Sequence, residues 1–362
     1  MKINRLELLT AIKLVGKAVP SRPMIPVLQG ILFQLSGGTL TLSGFDIDNG
    51  VQVSLPIDSQ EERCTFLISA RIIQSVLTKF SSQAINLDIQ SESVVISNET
   101  ATAEIKMMPD ALDYPVQCFD ISDTAPQLID SQIIEAMLSV LFAASSDESK
   151  QILQAVNTSA ASGTITFAAT DGHRLATTAI ASDVIIEPIS LGNSGLELLR
   201  GFKFSDDAPI NIYRVDSGII FSHSGTLFLV REIEGKYPDY QLLMPKDFKI
   251  SATVDRHELI SAIELAQISG NNTKVVKFNI DSEMTISSAN EIAQSSSTIE
   301  AKSSGEPILF AINSDYLLDA VKQISIDEIT FDINTPLKPI VIQWQQNQFH
   351  KTILLMPVQI RE

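Results

Sequence analysis

One helical start recurs three times along this chain of 362 residues, and that recurrence limits the fold more than any single motif. Asn4, Asp130 and Asp255 stand at near-equal intervals, each where an N-cap belongs, ahead of apolar residues at helical spacing. The first run has Leu8, Ile12, Val15 and Val19 on one face of a helix expected over 5–19, with Glu7 as capping-box partner of Asn4. The second has Ile133, Ile134, Met137, Leu138 and Leu141; the third has Leu259, Ile260 and Ile263, with Glu258 three residues after Asp255. A second helix follows in each stretch, over 69–80, 191–202 and 313–324. Phe80, Phe202 and Ile324 stand 122 residues apart in both intervals.

Alternating segments around these helices read as strands: 39–42, 52–55, 94–97, 210–213, 218–222, 226–231, 328–333 and 340–344. The simplest account is an α+β chain of three repeated domains, each with two helices packed on antiparallel sheets, at 1–120, 121–247 and 248–362. The links at 114–122 and 245–249 are short, so the units should pack edge to edge. A row of like units has two unlike ends, and such a row tends to close with a copy of itself into a symmetric ring.

Composition removes several classes of function. Lys and Arg number 26 against 43 Asp and Glu, a net charge of −17, which argues against gripping nucleic acid by broad phosphate neutralisation. Cys64 and Cys118 fit neither a disulfide framework nor a zinc site, and suit a reducing cytoplasm. Residues 1–10 lack a signal-peptide core and no apolar run reaches membrane-spanning length, so a soluble cytoplasmic protein without a membrane partner is expected. There is no Gly-x-Ser-x-Gly elbow, His-Glu-x-x-His helix or phosphate-binding Gly-x-x-x-x-Gly-Lys loop. A metallohydrolase and a P-loop NTPase are therefore disfavoured, and no metal or cofactor is expected.

The densest cluster of chemistry is Ala168-Ala169-Thr170-Asp171-Gly172-His173-Arg174-Leu175-Ala176. Strands are expected on both sides, with Asp171-Gly172 in a tight turn, Gly172 at positive φ, and His173 and Arg174 pointing to opposite faces. Asp, His and Arg could satisfy each other and nearby backbone in a plain hairpin, Asp171 and His173 could form an acid–base pair beside His223, His257 and His350, or the stretch could wall a binding site.

With Glu234-Gly235-Lys236-Tyr237-Pro238-Asp239-Tyr240, Ser21-Arg22-Pro23-Met24-Ile25-Pro26-Val27-Leu28 and Leu354-Leu355-Met356-Pro357, this stretch resembles the β-subunit family of bacterial DNA polymerase III, the sliding clamps. The resemblance covers the whole chain. It implies a head-to-tail homodimer closing as a six-domain ring around duplex DNA, a processivity factor without chemistry of its own. Its implied partners are the polymerase III alpha subunit, the clamp loader and other replication or repair polymerases, which dock through short linear peptides. A sliding ring needs little phosphate affinity, which agrees with the acidic balance. The alternative is a peptide-binding scaffold of the same repeats with no DNA role.

The resemblance implies a peptide groove of Leu153, Thr170, Gly172, His173, Arg174, Leu175, Pro238, Leu242, Leu243, Asn313, Tyr316, Leu354, Leu355, Met356 and Pro357. Apolar walls would bury an aromatic anchor while a few polar groups orient the peptide. Three features depart from the family's pattern: Gln241-Leu242-Leu243 where arginine is usual, a tail running on through Gln359 to Glu362, and Thr273 where an aromatic is common. DNA-facing candidates are Arg5, Lys13, Lys17, Arg22, Arg71, Lys79, Arg200, Lys203, Arg256 and Lys322. Arg71 and Lys79 fall on the side of their helix opposite Ile73, Val76, Leu77 and Phe80. Ile105 and Met107, meeting the region of Ile268 in a second copy, are the expected dimer contacts.

Overall fold

The computed structural model describes residues 1–57, 63–184, 186–205, 208–245, 247–270 and 274–359. One order of elements occurs three times: a strand, a helix, four strands, a helix and three strands. The first pass comprises β1 (Lys2–Asn4), α1 (Arg5–Val15), β2 (Gly30–Ser36), β3 (Thr39–Phe45), β4 (Gly50–Pro56), β5 (Cys64–Ser69), α2 (Ala70–Lys79), β6 (Ala84–Ile89), β7 (Ser93–Ser97) and β8 (Thr102–Lys106). The second comprises β9 (Gln127–Ile129), α3 (Ser131–Ser139), β10 (Ala155–Ala161), β11 (Thr164–Thr170), β12 (Arg174–Ala181), β13 (Ile189–Gly192), α4 (Asn193–Leu199), β14 (Ile210–Val215), β15 (Gly218–His223) and β16 (Thr226–Arg231). The third comprises β17 (Ile250–Asp255), α5 (Arg256–Gly270), β18 (Val275–Ile280), β19 (Glu283–Ala289), β20 (Gln294–Ser304), β21 (Ile308–Asn313), α6 (Ser314–Lys322), β22 (Glu328–Ile333), β23 (Ile340–Gln346) and β24 (Phe349–Leu355).

Two of the expected caps act as caps. Asn4 Oδ1 accepts from the N–H groups of Leu6 and Glu7, and Asp255 Oδ1 from those of His257 and Glu258, satisfying amides that a helix start leaves orphaned. Some helices are shorter than their periodicity suggested. α1 tightens into a 3-10 turn at Gly16–Ala18. α4 begins only at Asn193, because Leu191 and Gly192 belong to β13, and Gly201 at φ 79° lies just beyond its end.

In every repeat the middle four strands form one antiparallel ribbon, and the first strand joins the last three in another. Ribbons from successive repeats then fuse. β4 pairs with β16, with Thr226 opposite Val53, giving an eight-stranded sheet in the order β5-β2-β3-β4-β16-β15-β14-β9. β12 pairs with β24, with Leu175 opposite Leu354, and that sheet runs to twelve strands because the end of β20 also pairs with β17. Thus the third middle strand of one repeat takes the last strand of the next. β8 and the Gln294–Glu300 part of β20 hold the corresponding positions, and among the described residues each has a neighbour on one side only.

The sheets divide the chain into two compact units, Met1–Ser131 with Ser194–Glu232, and Gln132–Asn193 with Ile233–Glu362. Neither matches a repeat, because continuous sheet carries the last three strands of the middle repeat into the first unit and its middle strands into the second. In the first unit, Phe33 and Phe66 stack across β2 and β5 at 5.1 Å; in the second, Phe278 and Phe310 repeat that pair across β18 and β21 at 5.3 Å. A linker packs on each seam. Tyr114 and Phe119 bury against Leu229 and Ile220 in the first unit, and Tyr240 against Leu175 and Leu354 in the second.

The turn after the second middle strand is also built three times. Asp46, Asp171 and Asn290 each accept, through a side-chain oxygen, from the N–H groups two and three residues on. The residue after the first acceptor is Ile47 at φ 89°, and after the second Gly172 at φ 93°. A β-branched residue is strained there and glycine is not. Ile47 is also 49% exposed, so it contributes little burial in return. Ile47→Gly should therefore stabilise the first unit by about 1 kcal/mol, relief of left-handed strain outweighing the entropy glycine adds to the unfolded chain. Urea unfolding checks this, and a lower midpoint at unchanged slope would contradict it.

Candidate functional site

The chemistry-rich stretch forms the turn between β11 and β12, and Asp171 and Arg174 satisfy each other and nearby backbone, as the plain hairpin reading expects. Asp171 Oδ1 receives the N–H groups of His173 and Arg174 at 2.8 and 3.0 Å, and its Oδ2 receives Arg174 Nε at 3.1 Å. The carboxylate is engaged by backbone and guanidinium, and no hydrogen bond joins it to the imidazole, so there is no acid–base dyad of the kind a triad requires. His173 and Arg174 do not diverge to opposite faces either. The His173 ring lies 6.0 Å from Tyr316 at 16°, and the Arg174 guanidinium sits 4.7 Å above the same ring.

Arg174 is the organising side chain. A second carboxylate, Asp319, takes its Nη1 at 2.8 Å, and Phe142 lies 5.5 Å from its guanidinium carbon. A planar cation between aromatic faces with its edges on carboxylates is a geometry that lysine cannot reproduce. Phe142 and Asp319 escaped the sequence reading; the available signal was the spacing of Tyr316 and Asp319, three apart on one face of α6. Asn313 fixes that helix by accepting from Asp315 N–H at 2.9 Å, and Asp315 pairs with Lys274 at 2.6 Å. Tyr237, also missed, receives the Thr170 N–H at 3.1 Å on its hydroxyl oxygen, and burial raises its phenol pKa.

β24 closes the site. Its pairing sets Leu355 opposite Arg174 and Leu354 opposite Leu175, and the Met356 N–H donates to the His173 carbonyl at 2.9 Å. Leu175, Leu354 and Leu355 are buried, a correction to their expected place on the walls, and Leu175 and Leu354 pack with Tyr240. The accessible apolar groups are Leu242, Leu243 and Met356, at 82%, 54% and 37% exposure, with Pro238 exposed and Leu153 and Pro357 half-buried. Leu242 and Leu243 lie in the turn Tyr240–Leu243, whose Tyr240 packs on Leu175 and Leu354. Apolar side chains left open beside fixed polar groups characterise a docking surface. Thr273, Ile360, Arg361 and Glu362 lie outside the described residues. Among the described residues no His, Cys, Asp and Glu group could hold a metal ion, and no helix is long and apolar enough to cross a membrane.

The basic candidates fall into two groups. Lys13, Arg22, Arg71, Lys79 and Lys203 are exposed and have no ion pair among the described residues. The others are engaged. Arg5 donates to the carbonyls of Ser82 and Leu77, which corrects its assignment as a residue open to DNA. Lys17 reaches the Arg200 carbonyl, Arg200 pairs with Glu197, Lys322 pairs with Glu264, and half-buried Arg256 lies 3.3 Å from the His257 ring. Of the expected dimer contacts, Ile268 is 74% exposed, but Ile105 is 4% exposed and faces the core of its own sheet, a second correction. Met107, just past β8, donates its N–H to the Glu92 carbonyl.

Profiles of the DNA polymerase III beta subunit match in chain order: the N-terminal domain over residues 1–117, the central domain over 127–239 and the C-terminal domain over 241–359. The chain belongs to the DNA polymerase III beta-subunit family. It is 29% identical to the beta sliding clamp of Synechococcus elongatus over 371 residues, covering 98% of both chains. Its fold is that of the DNA polymerase sliding clamp of Bacillus subtilis, at TM-score 0.89 and 24% identity, and of the beta subunit of Thermotoga maritima, at 0.90 and 21%, each covering 99% of both chains.

If Asp171 acts through the turn as well as through its charge, two substitutions should separate the roles. Asp171→Asn keeps the oxygen that accepts from His173 and Arg174 and should cost about 1 kcal/mol, whereas Asp171→Ala should cost about 2 kcal/mol or more. Equal losses in urea unfolding would mean that the turn bonds contribute nothing.

Proposed function

We propose that this chain acts as a sliding clamp: it closes around duplex DNA as a head-to-tail homodimer and tethers the replicative polymerase, with no catalysis of its own. Its domains run 1–120, 121–247 and 248–362, and it works in the cytoplasm. The observation that carries this reading is the pairing rule of the sheets. Each seam joins the third middle strand of one repeat to the last strand of the next, and among the described residues β20 and β8 lack that partner; in the proposed dimer each is covered by the other copy. In this arrangement Ile268 and Met107 contact the other copy, while Ile105 supports β8 from behind.

The groove around Arg174 takes short linear peptides from the polymerase III alpha subunit, the clamp loader and other replication or repair polymerases. Leu242, Leu243 and Met356 enclose an apolar anchor; His173, Arg174 and Tyr316 offer polar edges to the rest of the peptide. Lys13, Arg22, Arg71, Lys79 and Lys203 face DNA. Their small number against a net charge of −17 suits a ring that must move along the duplex, because every tight phosphate contact would oppose sliding.

Light scattering at micromolar concentration should give a mass near 79 kDa, twice the 39.5 kDa chain. Protein placed by a loader on nicked circular DNA should remain until the circle is linearised; retention that ignores linearisation would exclude a topological tether. Met356→Ala with Leu243→Ala should weaken binding of a fluorescent peptide ending in Leu-Phe by roughly tenfold, from about 1.4 kcal/mol of lost apolar contact, at unchanged mass. Unaltered affinity would relocate the groove.

A further inference from the structure

A row of three side chains crosses the twelve-stranded sheet close to the Arg174 groove. Register places Thr178 of β12 opposite Lys351 of β24, and Lys351 opposite Trp344 of β23. A cavity of about 40 Å³ opens beside the row, lined also by Ser139, Phe142 and Gln323. Such a space holds more than one water-sized occupant.

Thr177 and Thr352 add further hydroxyls to the lining. The Ser139 hydroxyl donates to the Ala136 carbonyl and, at 2.8 Å, shares a hydrogen bond with the Thr178 hydroxyl, so these two groups are satisfied. Lys351 is 8% exposed, yet among the described residues its ammonium has no hydrogen-bond acceptor and no carboxylate within ion-pair distance; it has the rings of Trp344 and Phe349 at 6.0 and 5.4 Å. Trp344 is 9% exposed, and its buried Nε1–H has no acceptor among the described residues. Two donors, one of them charged, therefore border the cavity without a partner among the described residues. Burying the indole N–H without an acceptor is costly, and the ammonium has no carboxylate within ion-pair distance among the described residues. Burial lowers the lysine's pKa, while the carboxylate of Glu135, exposed on α3, acts in the opposite direction.

We infer that this pocket is a binding site for one small inorganic anion of the halide class, held by the Lys351 ammonium and the Trp344 indole N–H. A water molecule could accept from either donor but would leave the charge unmatched; a halide ion supplies acceptor and charge together in a comparably small volume. A polyatomic organic anion is too large. The site bridges strands from two repeats, so its occupant fastens the seam that carries the Arg174 groove.

Trp344 is the only tryptophan in the chain, so its fluorescence reports on the pocket without labelling. The full-length protein is titrated with potassium bromide at constant ionic strength, balanced with potassium gluconate. Saturable quenching is expected. It should weaken about tenfold or more in Lys351→Met, which removes a charge-assisted hydrogen bond, and should shift to lower bromide in Glu135→Gln, which removes the competing carboxylate from an exposed helix position. Unsaturating quenching of equal slope in all three proteins would overturn the assignment. Should Lys351→Met fail to fold, crystals of the unaltered protein grown in bromide decide the matter: an anomalous peak between Lys351 and Trp344 supports the site, and water or empty density there refutes it.

Discussion

The structure depends on where strand edges find their hydrogen bonds. A ribbon of four strands leaves a row of unpaired N–H and C=O groups on each side, and an exposed row of that kind is a template for any other edge. Here the repeats use one another. The last strand of one repeat covers the third middle strand of the repeat before it, at β4 with β16 and again at β12 with β24. Repetition fixes how each repeat meets the next, and sheet continuity makes the compact units straddle repeats instead of matching them.

The same corner of the repeat is finished differently at the two seams, and the difference makes the site. In the first unit Asn49 occupies the place that Arg174 holds in the second, third after the turn acceptor. Asn49 is 2% exposed; its amide donates to Ser194 Oγ and its oxygen accepts from Arg231 N–H, sealing the corner between α4 and β16. The ring of Phe119 presses on Gly50 beside it, where a Cβ would stand 2.5 Å from Cζ. In the second unit the longer arginine must lie between Tyr316 and Phe142 and reach two carboxylates, and Leu242, Leu243 and Met356 stay open to solvent. One backbone turn thus serves as a closed joint in one place and as the rim of an apolar surface in the other.

Much of this was legible in the sequence because it is periodic. Asn4 and Asp255 announced their helices, and strands such as Thr226–Arg231 and Glu328–Ile333 had the expected bounds. Positive φ at Gly172 followed from an Asp-Gly pair between two β-prone runs. What failed to show were contacts between residues distant in the chain. Nothing near Arg174 in sequence points to Asp319 or Phe142, and nothing near Ile105 distinguishes a strand's core face from its exposed edge. Leu354 and Leu355 were expected in groove walls but are buried on opposite sides of β24, because that strand lies inside the sheet, paired with β12 and β23.

The fusion of β4 with β16 joins residues far apart along the chain; the Asn49 to Arg231 hydrogen bond spans 182 positions. During synthesis β4 emerges long before its partner exists. At about 5–20 residues per second the interval is roughly 10–35 seconds, far longer than a hairpin needs to form. Throughout that time the first repeat presents an open edge with the very geometry that accepts another strand. A growing chain must reach its second repeat before it meets a neighbour on the same ribosome-crowded message, so translation speed between residues 57 and 226 becomes a determinant of how much of the protein reaches its native pairing.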